Sequence, residues 1–405
     1  MKNNNNYGTY CVLPFNSVSI TAHGDIRHCC NGGYDVSDYK LPNVSNLTTE
    51  EIINNDFIQD LRDSFIKEER HPACNRCWKM EDMNIMSFRE VANRYKRYDI
   101  NVTGRKNIQK SINFDDIEYI DITLGNKCNL ACRMCLPSSS SLLAKQQKEI
   151  GIHNGEIDIE HSADNKEKIL DLFAKAKNLK KIYMLGGEPL INEFHYEILD
   201  LLIAKDRAKN VEIYFNTNLK VNKISSYYPI WEKFNSIYIQ ASIDGTHECY
   251  EYIRYPGKWD KLYKSFKELS DIIDQKKYLL SISPVLQNLN VHNIVKLVEE
   301  LRFTGKFETG WFFIPVSGPN QLHIVPKITI REAIEQANKL PDTKAIPKQS
   351  LLNMLQTALT KKVTQDELRL FFYYTQKYDQ YRKQNIFEMA PHFLDLANKF
   401  KLTIW

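Results

Sequence analysis

Three cysteines in the spacing C-x3-C-x2-C, Cys128-Asn129-Leu130-Ala131-Cys132-Arg133-Met134-Cys135, follow directly on the apolar run Tyr119-Ile120-Asp121-Ile122-Thr123-Leu124. A strand that delivers a ligand loop at its end restricts the fold more than any other feature of the chain. Three thiolates are one too few for a closed structural zinc site. A cubane iron–sulfur cluster held by three cysteines leaves one iron free to take a small molecule. The competing reading is a zinc knuckle that borrows a distant fourth ligand. Against it, the motif ends a strand instead of sitting in a small finger.

A second segment, Lys181-Ile182-Tyr183-Met184-Leu185-Gly186-Gly187-Glu188-Pro189, is an apolar strand running into Gly-Gly-Glu-Pro. Two glycines let backbone approach a ligand closely, and Glu188 offers a carboxylate to an ammonium group. Together the two segments resemble the radical S-adenosylmethionine (SAM) superfamily, in which such a cysteine loop follows the first barrel strand and a GGE loop follows the second. The resemblance implies an α/β fold, a partial (β/α)6 TIM-like barrel. It also implies that Cys128, Cys132 and Cys135 hold a [4Fe-4S] cluster, and that Gly186, Gly187 and Glu188 bind the amino group of SAM. The residue before the last cysteine, often aromatic in the family, is Met134 here, so adenine packing at that point is expected to differ.

At 405 residues, 43% hydrophobic and 11% aromatic, the chain has material for two or three packed domains. Its net charge of +4 comes from interspersed charges of both signs, which calls for neither nucleic acid nor a membrane surface. No apolar run approaches membrane-spanning length, and Met1-Lys2-Asn3-Asn4-Asn5-Asn6 lacks a signal-peptide h-region, so a cytoplasmic protein is expected. There are nine cysteines, at 11, 29, 30, 74, 77, 128, 132, 135 and 249. Clustered in a chain without an export signal, they read as metal ligands and not as disulfides.

Residues 1–112 form the first expected unit. Val18 to His28 reads as a hairpin around Gly24-Asp25, carrying Cys11 and Cys29 toward each other, and the helical periodicity of Asn54 to Glu69 leads to a loop with Cys74 and Cys77. Cys11, the G-x4-C step from Gly24 to Cys29, and Cys74-Asn75-Arg76-Cys77-Trp78 resemble the first part of the auxiliary-cluster lobe of SPASM and twitch radical SAM enzymes. That lobe usually follows the barrel; here it precedes it. The resemblance implies one auxiliary [4Fe-4S] cluster on Cys11, Cys29, Cys74 and Cys77. Cys29 is preferred to Cys30 because it alone fits the glycine spacing. A four-cysteine zinc staple has the same ligand count and stays open. Cys249 reads as an ordinary semi-buried thiol.

Residues 113–320 alternate apolar strand-like runs with amphipathic segments, the pattern of a parallel sheet or open barrel. Six strands are expected: Glu118 to Leu124, Lys181 to Leu185, Val211 to Phe215, Ser236 to Ala241, Tyr278 to Leu286 and Thr309 to Val316. Helices are expected at Ser139 to Ile150, Asn165 to Ala176, Asn192 to Ala204, Trp259 to Asp274 and His292 to Phe303. In such architectures functional residues lie past the C-terminal ends of strands. Asn216, Ser242 and Asp244 occupy such ends, with Asn218 behind them, and the family resemblance makes them SAM or substrate contacts. The same residue types also make good turns. Arg254 is a candidate partner for the SAM carboxylate through its planar fork, or a helix-end charge in solvent.

Residues 321–405 carry no cysteines and read as a helical cap. Helices are expected at Thr329 to Leu340, Lys348 to Thr360, Gln365 to Gln384 and Pro391 to Phe400. Aromatics interleaved with lysine and arginine invite a nucleic-acid reading, but their helical spacing makes them core. What the resemblance implies is reductive cleavage of SAM to a 5′-deoxyadenosyl radical and hydrogen abstraction from substrate. The expected outcome is oxidative modification of a peptide or protein side chain, with a flavodoxin- or ferredoxin-like electron donor. Dehydrogenation or epimerisation of a small molecule is the alternative, and a non-catalytic iron–sulfur or zinc protein a second. A methyl- or thiotransferase variant is disfavoured, since the extra domains of those enzymes are not visible.

Overall fold

The computed structural model describes residues 8–32, 40–82, 87–94, 109–272, 277–304, 307–316 and 318–400. The Asn-rich start, and the last two residues expected in the Trp259 helix, lie outside them. The chain divides into two compact units, one of residues 1–126, 159–214 and 230–236, the other of residues 127–158, 215–229 and 237–405.

In the first unit the expected hairpin forms between β1 (Ser17–Ile20) and β2 (Ile26–Arg27), which pair antiparallel. Gly24, at φ +81°, closes its turn and has Val44 Cγ1 within 2.9 Å of where a side chain would begin. β1 also pairs in parallel with β3 (Tyr119–Thr123), Ile20 lying opposite Ile122, and β3 pairs in parallel with β4 (Lys181–Leu185). The cysteine-rich segment therefore contributes a strand to the sheet that carries the motif loops. Every residue of β1 is buried, as expected of a strand with a paired neighbour on each side and covered faces. Beside it, Tyr10, Leu13, Phe15, Leu61, Phe65 and Trp78 form one core with Cys11, Cys29 and Cys74. Thr48 and Glu51 make a reciprocal capping box at the helix Thr49–Asn54, and Asn55 Oδ1 caps Asp56–Ile66 by accepting from the Ile58 amide. Arg62 on that second helix is buried and donates to the carbonyls of Pro14 and Ile53.

The second unit takes over the chain within β5 (Glu212–Thr217) and holds nearly all of β6 (Ser236–Ala241) with β7 (Tyr278–Ile282) and β8 (Val285–Leu286). A short β9–β10 hairpin (Phe303–Thr304 and Phe307–Glu308) follows, then β11 (Gly310–Trp311) and β12 (Ile314–Pro315). β6 pairs in parallel with β7, β7 with β11, and β8 with β12. The fold is thus a mainly parallel α/β sheet flanked by helices. The single strands expected over Tyr278 to Leu286 and Thr309 to Val316 are each broken in two. At Pro284 the first break falls on a residue with no N–H to donate to a ladder. Helices flank the strands, including Ser141–Glu149, His247–Ile253, Trp259–Ile272 and Ile294–Glu300.

The last segment of the second unit has helices joined by short connections and no strand among its described residues, with Lys327–Lys339, Lys348–Thr360, Gln365–Arg382 and His392–Lys399 the longer helices. The Gln365–Arg382 helix begins at a Thr364/Glu367 capping box and ends at Lys383 in the left-handed conformation, φ +54°. Phe371, Phe372 and Phe393 pack with ring centroids 5.1 to 6.4 Å apart. Each of these buried rings contributes roughly 2–3 kcal/mol by leaving water, whereas Tyr373 and Tyr381 on the Gln365–Arg382 helix are exposed, so the expectation that the recurring aromatics are core holds only in part. Among the described residues no helix is long and apolar enough to cross a membrane.

Candidate active site and cysteine clusters

Cys128, Cys132 and Cys135 lie in one loop of the second unit, Cys132 buried and the other two half-buried. Burial pushes the Cys135 thiol up, and the neighbouring Cys132 and Cys128 add to the shift. Cys132 is also pushed up by burial, with the Arg254 cation opposing it. Thiols such as Cys132 and Cys135 that resist ionising alone are suited to a cationic metal centre, which makes them bind as thiolates.

The loop is held by a dense set of polar contacts. Asn218 Nδ2 donates to Asn129 Oδ1 at 2.9 Å and points at Cys128 Sγ, 3.8 Å away. Lys220 Nζ donates to the Asn129 carbonyl at 2.9 Å, and Asn129 returns a bond to the Lys220 carbonyl at 2.7 Å. The amides of Ala131 and Arg133 donate to the carbonyls of Tyr255 and Ile253 at 2.7 and 2.9 Å. Arg254 is buried; its Nε donates to Asp244 Oδ2 at 2.7 Å, and its Nη1 lies 3.7 Å from Cys132 Sγ. Asp244 in turn accepts from the Val285 amide at 2.7 Å. Asp244, Arg254 and Cys132 are thus brought together, with a cation beside a sulfur. Asn216 Oδ1 is buried without a hydrogen-bond partner. The Ser242 amide donates to the Thr217 carbonyl at 2.8 Å, a contact of the strand ends.

The C-terminal helix Gln365–Arg382 supplies contacts that motif reasoning missed. Arg133, between two of the motif cysteines, is buried; its Nη2 donates to Asp379 Oδ1 at 2.6 Å, and its guanidinium carbon lies 3.7 Å from the centre of the Tyr252 ring. Arg382 Nη2 donates to the Ala131 carbonyl and to Gln146 Oε1, both at 2.6 Å. Asp379 and Arg382 are opposite charges three apart near the C-terminal end of an aromatic-rich helix. That pairing is the signal in the sequence that could have drawn attention to them.

In the first unit, the loop after β4 carries Gly186 at φ +96° and Gly187 at φ +53°. A Cβ on Gly186 would lie 2.4 Å from the Gly125 carbonyl oxygen and 2.6 Å from Thr123 Cγ2. Glycine is therefore demanded twice there, by conformation and by space. Glu188 is fully buried, and its Oε1 accepts from the Leu190 amide at 3.1 Å, capping the short turn Pro189–Ile191. His195 Nδ1 meets the Pro189 carbonyl at 3.1 Å, and burial pushes this ring down to about 4.

The second cysteine set also lies in the first unit. Cys11, Cys29, Cys74 and Cys77 are all buried. Burial pushes the Cys29 thiol well up, and Cys30, Cys74, Cys11 and Cys77 all add to the shift. Cys30 points elsewhere: its thiol bonds to the buried Asp121 carboxyl of β3, which burial pushes up to about 7. Among the described residues no three of these sulfurs lie within 4.8 Å of one another. Cys249 is buried, with its thiol 3.6 Å from the Leu289 carbonyl.

A parallel α/β protein with three cysteines in the loop after one strand, a double-glycine acidic loop after the next and a second, buried cysteine set fits an iron–sulfur protein of the SAM-binding kind. The sequence pattern of the Radical SAM superfamily matches residues 122–301, and that of the SPASM iron-sulfur cluster-binding domain matches residues 11–78. Residues 122–301 thus carry a radical SAM domain, and the SPASM region lies N-terminal to it. The cofactors are accordingly SAM, a [4Fe-4S] cluster and auxiliary iron–sulfur. The chain is 28% identical over 171 residues to radical SAM cyclopropyl synthase TigE of Paramaledivibacter caminithermalis, a match covering 41% of this chain and 34% of TigE. It therefore spans about a third of the length of that curated relative. Among solved structures, native anSMEcpe with bound AdoMet is similar at 17% identity and TM-score 0.38, over 54% of this chain and 58% of that one. Streptococcus suis SuiB bound to S-adenosylmethionine is similar at 18% identity and TM-score 0.36, over 87% and 71%.

Proposed function

We propose that this chain is a radical SAM enzyme that carries out an oxidative modification of a peptide or protein side chain. The observation that carries the reading is the one loop that holds Cys128, Cys132 and Cys135, their charges acting on one another, with the Arg254 guanidinium beside the buried Cys132 sulfur. When bound, the cofactors supply the electron and the sulfonium whose reductive cleavage yields a 5′-deoxyadenosyl radical able to take hydrogen from an unactivated C–H bond.

The chain's own residues set the conditions for that chemistry. Cys128, Cys132 and Cys135 bind the cluster as thiolates, and Asn218 and Arg254 stabilise the negative charge on the sulfurs. Asp244 holds the Arg254 fork in place, so the role of Arg254 is to face the cluster as well as SAM. Gly186, Gly187 and Glu188 bind the methionine end of SAM, and Asn216 and Ser242 line the SAM or substrate site. Cys11, Cys29, Cys74 and Cys77 hold the auxiliary cluster, whose role is to accept the second electron of a two-electron oxidation. A relative that is by name a cyclopropyl synthase supports such a stoichiometry, because closing a ring between two carbons removes two hydrogens. The SPASM region supports the peptide assignment through its resemblance to peptide-modifying enzymes. A flavodoxin- or ferredoxin-like protein is the proposed reductant.

The test is anaerobic purification of the wild type beside a Cys128/Cys132/Cys135 triple-alanine variant, assayed for iron, sulfide and 5′-deoxyadenosine formed from SAM under reduction. About eight irons falling to about four, with SAM cleavage abolished, is the expected result. Cleavage that survives in the variant would sink the mechanism, and zinc without iron would remove the enzyme reading altogether.

A further inference from the structure

The auxiliary cysteine set has a histidine against it that neither its motif nor the proposed chemistry uses. His28 precedes Cys29, is 2% exposed, and places Nε2 3.3 Å from Cys74 Sγ, across 46 residues of chain. Its ring packs near Phe57, with centroids 6.3 Å apart. Gly32 backs the ring so closely that a Cβ there would lie 2.1 Å from His28 Cε1. Gly32 has no unusual backbone angle to explain it, so the glycine is there to leave room for the imidazole. Nδ1 is buried without a partner, which leaves Nε2 as the ring atom with a polar neighbour. Arg89, the cation whose charge acts on Cys74, directs its donors elsewhere: to Glu81 and to the carbonyls of Gly8 and Tyr10.

Resting on the assignment of Cys74 as an auxiliary-cluster ligand, we propose that His28 is a positioning residue for that cluster: its Nε2–H donates to the Cys74 thiolate and raises the cluster's reduction potential. A ligand thiolate is only an acceptor, so the tautomer that fits carries its hydrogen on Nε2. Hydrogen bonds to cluster sulfurs favour the more negative reduced state and so raise the potential. In an enzyme whose auxiliary cluster accepts an electron from substrate, this bond makes acceptance easier.

The experiment isolates the auxiliary cluster in the Cys128/Cys132/Cys135 triple-alanine background and adds His28→Phe, which keeps a ring but no donor, or His28→Gln, which offers an amide N–H. Iron content and EPR-monitored redox titration are read for all three proteins. The expected result is unchanged iron in both variants, a midpoint shifted negative in His28→Phe, and a midpoint returned toward the parent in His28→Gln. Loss of iron in His28→Phe alone, with iron and midpoint kept in His28→Gln, also supports a required donor. An unchanged midpoint in His28→Phe at full iron content overturns the proposal. So does loss of iron in both variants, or a parent EPR spectrum with directly coordinated nitrogen, which would make His28 a ligand. A parent that holds zinc instead of iron refutes the underlying cluster assignment, a failure distinct from all of these.

Discussion

Replacing Asp379 by alanine tests whether the C-terminal helix holds the cluster loop. Asp379 Oδ1 accepts from Arg133 Nη2 at 2.6 Å and from the Tyr252 hydroxyl at 2.9 Å, while Oδ2 accepts from the Ile386 amide at 2.8 Å. Its side chain is fully buried, and that of Arg133 is 2% exposed. Leaving a buried guanidinium without its counter-ion costs about 3–5 kcal/mol. Orphaning two further donors adds about 1 kcal/mol or more each, partly offset by water entering the space and by Gln384 Oε1, already 3.0 Å from Arg133. A net loss of about 4 kcal/mol is expected, which corresponds to roughly a thousandfold faster hydrogen exchange at the Ala131 and Arg133 amides if opening of the loop follows the pair. Exchange read by mass spectrometry over residues 128–135, beside the urea midpoint, provides the measure. The double variant Arg133→Met/Asp379→Leu should cost less than Asp379→Ala, because no charge is left stranded. A loss under about 1 kcal/mol in Asp379→Ala, or a double variant as unstable as the single one, would refute the reasoning.

Two further outcomes follow from the first unit. His195 has its folded pKa lowered from 6.5 to about 4 by burial, so the folded state binds fewer protons than the unfolded one in that window. Its contribution is present above pH 6.5 and lost as pH falls toward 4, by about 3 kcal/mol in all. Urea midpoints of His195→Gln should therefore lack that much of the wild type's acid sensitivity; parallel pH profiles would contradict this. Gly186→Ala should lower stability by about 3 kcal/mol or more through backbone strain and overpacking. Gly151→Ala, at φ +74° with nothing within 4 Å of the new Cβ, should cost only about 1 kcal/mol of strain. Equal shifts in thermal midpoint would show that the contact with Gly125 carries no weight.

Much of the architecture was legible because it is written in local periodicity. β4 and β6 run over the residues that their apolar runs mark, and the helices of the core lie within a few residues of their expected bounds. Where reading by apolar content went too far, at Ser283-Pro284 and between β11 and β12, the runs stayed apolar while the strand broke. Apolar content does not report strand continuity, and at Phe312 and Ile314, both exposed, it does not report burial either.

The candidate site was legible where ligands are adjacent in sequence and illegible where they are not. Cys128, Cys132 and Cys135 are bound to be near one another by a seven-residue span, and the conformation of Gly186 and Gly187 follows from their lacking a Cβ. Nothing local distinguishes Cys29 from Cys30 except a spacing analogy. In the structure the Cys30 thiol bonds to Asp121 on β3, while Cys29 is influenced by Cys30 first and then by Cys74, Cys11 and Cys77.

By itself the sequence determined the chemistry available to this protein: which thiols come in ligand spacing, which strands deliver them, and the superfamily to which that combination belongs. These are short-range properties, carried by spacing and periodicity. Tertiary structure alone decided that β1 of the cysteine-rich segment joins the sheet beside β3, that His28 meets Cys74 and that Asp379 meets Arg133 across 246 residues. Such pairings depend on where buried charges and polar groups find partners once the chain has collapsed, and no local pattern encodes that choice.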